Sequence, residues 1–293
     1  MRVTSQQMYD TLLAGIRNQL QTQADSTEQI SSGRRFTRPS QDGLGYKTSL
    51  DIRHVQKGID SGLQAISVAK LRLGSSQNAL SQMLPIIQRA QVLAVQQANA
   101  TLSAGERNTA AIEVSRLQEQ LLALSNQSFD GSPLFAGTAT SSTAITLDGG
   151  GNAVYQGNTQ DRVVAITSTE TMTTNVRADH TAFTQVFSSI QTLKTALNAN
   201  DATGIQNSVN TLTAAGNAMA ELTGEVGGRM RSVGLREQTF FDMRSQVEAR
   251  LNAHESVDIA KVATQLSQSQ TALQAAYAEV SRLSSLSLVH YLK

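Results

Sequence analysis

The stretch DIAKVATQLSQSQTALQAAYAEVSRLSSLSLVHY, residues 258–291, decides the fold. Apolar or small residues recur along it at alternating steps of three and four, which is the spacing of one stripe on a supercoiled helix. We call this stripe the C-terminal seam; its members are Ile259, Val262, Leu266, Ser269, Leu273, Ala276, Val280 and Leu283. Burial of one stripe must offset the entropy of ordering the whole helix, so the segment needs a partner helix in this chain or in another.

The first thirty residues carry a similar stripe, which we call the N-terminal seam. Its members are Tyr9, Leu13, Ile16, Leu20, Gln23, Thr27 and Ile30. The two seams predict that the chain ends pair as a coiled coil. Gly33 is expected to end the first helix in a left-handed cap. The loop that follows contains Arg34, Arg35 and Arg38, but their spacing matches no phosphate-binding motif, so an anion site is the less favoured interpretation.

The longest periodic run lies between residues 52 and 94 and predicts a helix long enough to make the molecule elongated. Its stripe consists of Ile52, Val55, Ile59, Gly62, Ile66, Ala69, Leu73, Ser76, Leu80, Met83, Ile87, Ala90 and Ala94. Pro85 is expected to bend or break this helix, or to mark two helices that meet near Met83. Ser103 and Glu106 form a capping box for the next helix. Four glycines between residues 224 and 234 predict either a loosened segment or a close-packing site before a further helix to about His254.

The character of the chain changes between residues 138 and 181, where short β-like pieces alternate with glycine-rich turns. The pieces are residues 144–147, 153–155, 162–167 and 171–176. The fold class is therefore mainly α: an elongated coiled-coil bundle formed by both chain ends, with a small β-rich insertion. We expect residues 1–40 and 255–293 to form a terminal coiled-coil domain that is disordered in the monomer. Residues 41–137 and 182–254 would form a helical rod, and residues 138–181 a small outer domain.

Composition and charge exclude several classes of function. Aromatic residues are 4% of the chain, there is no Trp, and charged residues are 16%. The net charge of +1 provides no attraction to nucleic acid or to an anionic membrane. With no Cys, a disulfide framework or a thiolate metal site is impossible. The start of the chain lacks the apolar segment of a secretory signal peptide, and no apolar run is long enough to span a membrane.

No arrangement of residues predicts catalysis, a cofactor or a metal. The histidines, His54, His180, His254 and His290, have no companions at ligand spacing. Asp148 precedes a glycine-rich loop, but without further acidic residues a hairpin turn is favoured over calcium binding. We therefore expect no enzyme. An enzyme that uses the β insertion would require a ligand-sized pocket walled by residues 138–181, and a receptor coiled coil would require a membrane span.

Three internal motifs resemble those of the bacterial flagellin and hook-associated protein family. The first is ISSGRR at residues 30–35 with PSQD at 39–42; the others are RAQVLAVQQAN at 89–99 and LFAG at 134–137. The start MRVT with QMY at residues 7–9, and the end LSQSQTALQA at 266–275 with LSLVHYL at 286–292, look more like the family's junction members than like flagellins.

This resemblance implies a structural role rather than a chemical one. Such proteins are exported unfolded through the flagellar type III system without a cleaved signal, and they assemble outside the cell at the hook–filament junction. The implied partners are other copies in a ring, hook-associated protein 1 below, flagellin above, and a cytoplasmic export chaperone. A flagellin-type filament subunit is the alternative.

The resemblance also assigns roles to the two seams. The assembly residues would be Tyr9, Leu13, Ile16, Leu20, Ile30, Ile259, Val262, Leu266, Leu273, Ala276, Val280 and Leu283. The chaperone would bind Leu266, Leu273, Val280, Leu283 and Leu286. The terminal helices would fold only on assembly.

Overall fold

The computed structural model describes residues 5–99, 101–140 and 143–291, with the side chains of residues 7–282 within those ranges. The helices are α1 (Ser5–Ser32), α2 (Gly43–Gln97), α3 (Ala104–Ser125), α4 (Thr181–Asn198), α5 (Ala202–Glu255) and α6 (Ile259–Tyr291). The strands are β1 (Ser128–Phe129), β2 (Ser132–Pro133), β3 (Ile145–Leu147), β4 (Ala153–Tyr155), β5 (Val163–Ala165) and β6 (Thr171–Thr173). The predicted class, mainly α with a small β region, is confirmed.

The chain divides into two compact units. The first unit holds the described residues up to Lys57 and from Arg244 onward, and the second unit is Gly58–Met243. In the first unit, α1 and α6 pack side by side. They run antiparallel, because the amide of Val257 bonds to the carbonyl of Gly33 at 3.1 Å while Ser269 Oγ donates to the carbonyl of Gln19 at 3.3 Å.

The second unit has a helical core along α2. Every member of the stripe predicted between residues 52 and 94 is buried except Val55, which is 51% exposed. From α4, Phe183, Phe187 and Ile190 add large side chains to this core. The predicted capping box starts α3, with Ser103 N donating to Glu106 Oε2 at 2.8 Å. The periodicity that predicted these helices therefore also identified their buried faces.

Pro85 does not break α2, and the prediction of a break or of two helices is wrong. A proline removes one amide donor, so the carbonyl four residues earlier, at Ser81, loses its partner. Ser81 and Pro85 are both exposed. Water can bond that carbonyl, and the apolar stripe on the opposite side keeps the helix continuous.

The interruption expected between residues 224 and 234 is also wrong, because α5 runs unbroken through them. A Cβ at Gly224 or Gly234 would meet no atom within 4 Å, so close packing does not explain these glycines either. On the other side of the helix, Val226 and Val233 are buried. That burial offsets the roughly 1 kcal/mol by which each glycine disfavours a helix.

The β region consists of antiparallel two-stranded ladders in the described part of the chain. The pairs are β1–β2, β3–β4 and β5–β6. The last two correspond to the four predicted pieces, and Asn126 holds β3 on the end of α3 through bonds of 2.8 and 2.9 Å to Ile145. The first ladder was missed in the sequence. Its turn, Asp130-Gly131, takes positive φ at both residues, and this Asp-Gly pair is the signal that predicts such a hairpin.

None of the described helices combines the length and the apolar character that a membrane crossing requires.

Candidate assembly site

The C-terminal seam faces α1 in the structure. Val262, Ser269 and Leu273 are buried, at 5%, 2% and 5% exposure. Leu266, Ala276 and Val280 are partly buried on the same side of α6. Ile259 is the exception at 56% exposure, because it begins the helix before the contact with α1 is established. The side chains of Leu283 and Leu286 lie outside the described residues.

The N-terminal seam turns inward at only some of its predicted positions. Ile16 is buried, and Leu13 and Ile30 are partly buried, whereas Leu20 is 45% exposed and Tyr9 is 42% exposed. Thr27 is exposed as well. The positions that turn inward are Ile16, Gln19, Gln23, Ser26 and Ile30. The prediction placed Leu20 and Thr27 there because steps of three and four are both compatible with 3.6 residues per turn.

The pair therefore has a polar interior. Ser26 on α1 is 4% exposed and Ser269 on α6 is 2% exposed, so hydroxyl groups occupy positions that a stable coiled coil fills with Leu or Ile. The Ser269 hydroxyl is satisfied by the Gln19 carbonyl. Hydroxyls in the interior gain little from burial, so this pair is weaker than an apolar seam of the same length.

A second feature joins the inner ends of these helices. We call it the clasp: the loop 33–42 after α1 together with the link 255–258 before α6. Gly33 adopts φ +67°, as its predicted cap role requires. The Arg35 amide donates to the Glu255 carbonyl at 2.7 Å, and Arg34 and Ser256 form an isolated antiparallel bridge between the loop and the link. Asp258 caps α6, accepting from the Lys261 amide at 3.0 Å.

Glu255 is the charged centre of the clasp. Its residue is 7% exposed, and Arg53 Nη2 donates to both carboxylate oxygens at 2.8 Å. Arg34 Nε approaches the same carboxylate at 3.5 Å. Burial acts to raise the pKa of Glu255, but hydrogen bonds from Arg53 and Ser49 and the charges of Arg53 and Arg34 outweigh it. The net pKa therefore lies below the ordinary value.

The remaining arginines of the loop are also paired with carboxylates. Arg38 bonds to Glu28 and lies 3.3 Å from Asp25, and Arg35 lies 3.6 Å from Asp42. A hydrogen bond from Thr37, supported by Arg38, lowers the pKa of Glu28. These guanidinium groups are engaged within the chain rather than open to an external anion.

An aromatic contact completes the clasp. Phe36 is 3% exposed, and its ring meets the ring of His254 edge-on at 5.6 Å. A ring nitrogen of His254 lies 3.0 Å from the Gly45 carbonyl. The sequence analysis did not single out Phe36; its place as the one aromatic residue in a polar loop was the available signal.

The second unit contains a pocket of the kind that an enzyme would need. It encloses about 390 Å³ and is partly walled by the β insertion, with Asp161, Arg177, Asp179 and Arg229 among its lining residues. Its charges neutralise one another, since Arg177 bonds to Asp161 at 2.6 Å and to Asp179 at 3.0 Å. The described residues contain no group of three or more His, Asp or Glu side chains that could hold a metal. The pocket thus presents ion pairs rather than an activated nucleophile or base.

Comparison with known proteins shows what this chain resembles. The model of the bacterial flagellin N-terminal helical region matches residues 3–140. Flagellar hook-associated protein 3 of Escherichia coli is 28% identical over 324 residues, covering 98% of each chain. The chain is therefore similar to the bacterial flagellin and hook-associated proteins.

Other relatives match this chain over shorter spans. Hook-associated protein 3 of Salmonella typhimurium is 29% identical over 191 residues, which cover 65% of this chain and 58% of that protein. Flagellin A of Vibrio cholerae is 30% identical over 142 residues, which cover 47% of this chain and 36% of that protein.

Solved structures share the fold of this chain. A flagellar hook-associated protein from Vibrio parahaemolyticus has a TM-score of 0.66 at 19% identity, covering 74% of this chain and all of that one. FlgL from Bacillus cereus has a TM-score of 0.60 at 20% identity, covering 70% and 99%. The relatives are structural proteins of the flagellum. They support a structural role in that extracellular assembly, together with other flagellar components, and not an enzymatic one.

Proposed function

We propose that this protein is the junction subunit that connects the hook of the bacterial flagellum to the flagellin filament. The observation that carries the proposal is the extent of the match to hook-associated protein 3 of Escherichia coli, 98% of both chains. By contrast, the match to Flagellin A of Vibrio cholerae covers 47% of this chain and 36% of that flagellin. A subunit that aligns end to end with a hook-associated protein has the same complement of segments for assembly.

The terminal pair is the surface through which subunits join. Its interior is polar at Ser26 and Ser269, so the α1–α6 pair has little stability of its own. Its outer side carries large apolar groups, namely Tyr9, Leu20, Ile259 and Tyr277, each at least 42% exposed. Neighbouring copies in a ring would bury these groups, so the terminal helices become fully ordered on assembly. Hook-associated protein 1 would adjoin one side of the ring and flagellin the other.

The low stability of the α1–α6 pair would also favour export. A chain whose ends pair weakly can be kept unfolded for the flagellar type III channel. A cytoplasmic chaperone would bind Leu266, Leu273 and Val280 on α6, together with Leu283 and Leu286. Because Leu273 is buried against α1, a chaperone that holds this side chain must first displace α1.

The domain organisation belongs to this proposal as well. Residues 1–40 and 255–293 would form the terminal domain that joins neighbouring subunits. Residues 41–137 and 182–254 would form the helical rod, and residues 138–181 the outer domain that faces solvent.

A flagellin-type filament subunit remains the second candidate, and the match to Flagellin A favours it over any other class. The two roles differ in stoichiometry. A junction subunit is a minor band in sheared filaments, whereas a filament subunit is the dominant band.

Deletion of the gene, followed by electron microscopy, tests the proposal. We expect complete hooks without filaments, with flagellin shed into the medium, because filament growth lacks its base. Hooks that still carry filaments would refute the junction role. Loss of the major filament protein itself would instead establish the filament subunit.

A further inference from the structure

Two arginines in the second unit, one buried and one partly buried, have no carboxylate partner among the described residues. Arg72 on α2 is 4% exposed, and its terminal nitrogens donate to Ser132 Oγ at 2.9 Å and to the Pro133 carbonyl at 2.6 Å. Both acceptors are neutral. Among the described residues, no carboxylate pairs with Arg72 or with Arg162, which directly precedes β5.

Several N–H groups around these arginines have no acceptor. They are Nε of Arg72, Nε and Nη2 of Arg162, and Nδ2 of Asn175, all shielded from solvent. Asn175 is adjacent to Arg162, since its Oδ1 accepts from the Arg162 amide at 2.9 Å. A buried donor without an acceptor forfeits on the order of 1–3 kcal/mol, so one such group is unusual and a cluster of them calls for a ligand.

A third buried arginine provides the internal comparison. Arg107 is 3% exposed, yet its guanidinium donates to the carbonyls of Gln97, Asn99 and Asn200. These carbonyls lie at or just after the C-terminal end of α2 and in the turn between α4 and α5, where helix dipoles concentrate negative charge. The buried guanidinium of Arg107 is therefore hydrogen-bonded at all three of its nitrogens. In contrast, Nε of Arg72 and Nε and Nη2 of Arg162 have no acceptor among the described residues.

The charges of Arg72 and Arg162 also favour a bound anion. Burial, and next the charge of Arg162, lower the pKa of Arg72 to about 10, which still leaves Arg72 cationic near neutral pH. Like charges in a poorly solvated site repel each other. The acidic residues nearby are already engaged, because Asp161 bonds to Arg177 and Glu225 bonds to Arg229, each at 2.6 Å.

We propose that Arg72, Arg162 and Asn175 form an internal binding site for one small inorganic anion of halide size. The site offers donors and positive charge but no free acceptor. A water molecule would leave its own hydrogens without a partner there, and a cation would be repelled. An anion accepts from every donor and neutralises the arginine pair.

The position of the site gives the anion a structural role. Arg72 belongs to α2 and its hydrogen bonds reach strand β2, while Arg162 and Asn175 flank the β5–β6 ladder. A bound anion would hold both ladders on the long helix, and its loss would loosen the β insertion first.

Thermal unfolding of the full-length protein tests this site. Sodium gluconate is replaced stepwise by sodium chloride or bromide at constant ionic strength, and the unfolding midpoint is measured. We expect a saturable rise of about 3 °C, because binding stabilises the native state as the site fills and gluconate is too large to enter. Arg162→Gln should abolish the saturable rise. It is the chosen variant because Arg162 is only partly buried, whereas replacement of Arg72 could prevent folding.

Arg116→Gln is the matched control, since Arg116 lies exposed on α3, and it should retain the full rise. Crystals grown in bromide supply an independent measurement, with an anomalous peak expected within hydrogen-bonding distance of Arg162 Nη2 and Asn175 Nδ2. A midpoint that is equal in gluconate and halide would overturn the proposal. So would a rise that persists in Arg162→Gln, or the absence of a bromide peak at the site.

Discussion

At the scale of single residues, Gly62 on α2 allows Phe240 of α5 and the backbone of Ile166 to approach this helix closely. A Cβ at this position would lie 2.3 Å from Cε1 of Phe240 and 2.9 Å from the carbonyl oxygen of Ile166. Both distances are far below van der Waals contact. The ring belongs to a buried side chain and the oxygen to the backbone, so neither can yield without moving α5 or the β5–β6 ladder.

Gly62→Ala should therefore destabilise the protein although alanine is the better helix former. Overpacking typically costs about 1–3 kcal/mol, which exceeds the gain of up to about 1 kcal/mol in helix propensity. Gly58→Ala is the control on the same helix, because a Cβ there meets nothing within 4 Å, and it should stabilise by about 0.5–1 kcal/mol. Urea denaturation measures both changes. If Gly62→Ala stabilises as much as Gly58→Ala does, the close approach is not present in solution.

At the scale of elements, the terminal helices differ from the helices of the core in what their inner faces contain. The stripe of α2 is almost entirely apolar, whereas the α1–α6 pair places Gln19, Gln23, Ser26 and Ser269 on or near its interior. The few apolar members of the pair, such as Ile16 and Leu273, therefore account for most of its hydrophobic stabilisation. Their removal should affect the pair while the core keeps its own stripe.

Leu273→Asp should block assembly without unfolding the core. The substitution places a charge in the buried side of α6, where Leu273 is 5% exposed. We expect an unchanged main unfolding transition of the purified protein, loss of filaments in cells, and weaker binding to the export chaperone. Gln274→Asp adds the same charge one residue further along, on the exposed side of α6, and should have none of these effects. Normal filaments in the Leu273 variant would contradict the assembly role of the seam.

At the scale of the whole molecule, the clasp is where both chain ends meet the start of α2. Glu255 bonds to Arg53 of α2 and approaches Arg34 of the loop, while Glu28 of α1 bonds to Arg38. Both carboxyl groups have a lowered pKa in the folded state. Their contribution to stability is therefore present above the unfolded value of about 4.3 and is lost as the pH falls through the lower folded value.

Acid should consequently release the terminal helices. We expect amide exchange, corrected for its intrinsic pH dependence, to accelerate in residues 28–42 and 254–258 as the pH falls below about 4. Glu255→Gln should show this faster exchange already at pH 6, since it cannot form the charged pairs. Glu119→Gln, an exposed change on α3, serves as the control and should leave the clasp unaffected. Exchange in the clasp that does not respond to acid or to Glu255→Gln would mean that its charges do not hold it.

The sequence by itself determined the helical class, the pairing of the chain ends and the buried faces of the long helices. The spacing of apolar residues determines which side of a helix can be buried, and one stripe is uninterrupted from Ile52 to Ala94 with only Val55 exposed. The caps at Gly33, Ser103 and Asp258 were predictable for a similar reason, since each depends on a few neighbouring residues. Local rules sufficed for these features.

Only the tertiary structure decided the features that depend on distant neighbours. The N-terminal seam is mixed in polarity, so its register was settled by the packing of α6, which turned Gln19 and Ser26 inward instead of Leu20 and Thr27. Pro85 and the glycines of α5 remained within continuous helices because burial on the opposite face outweighs their local penalties. The ion pairs of the clasp and the proximity of Arg72 to Arg162 could likewise not be predicted from the sequence. Spacing reveals what one helix can bury, but the partner of a charge depends on which segments the fold brings together.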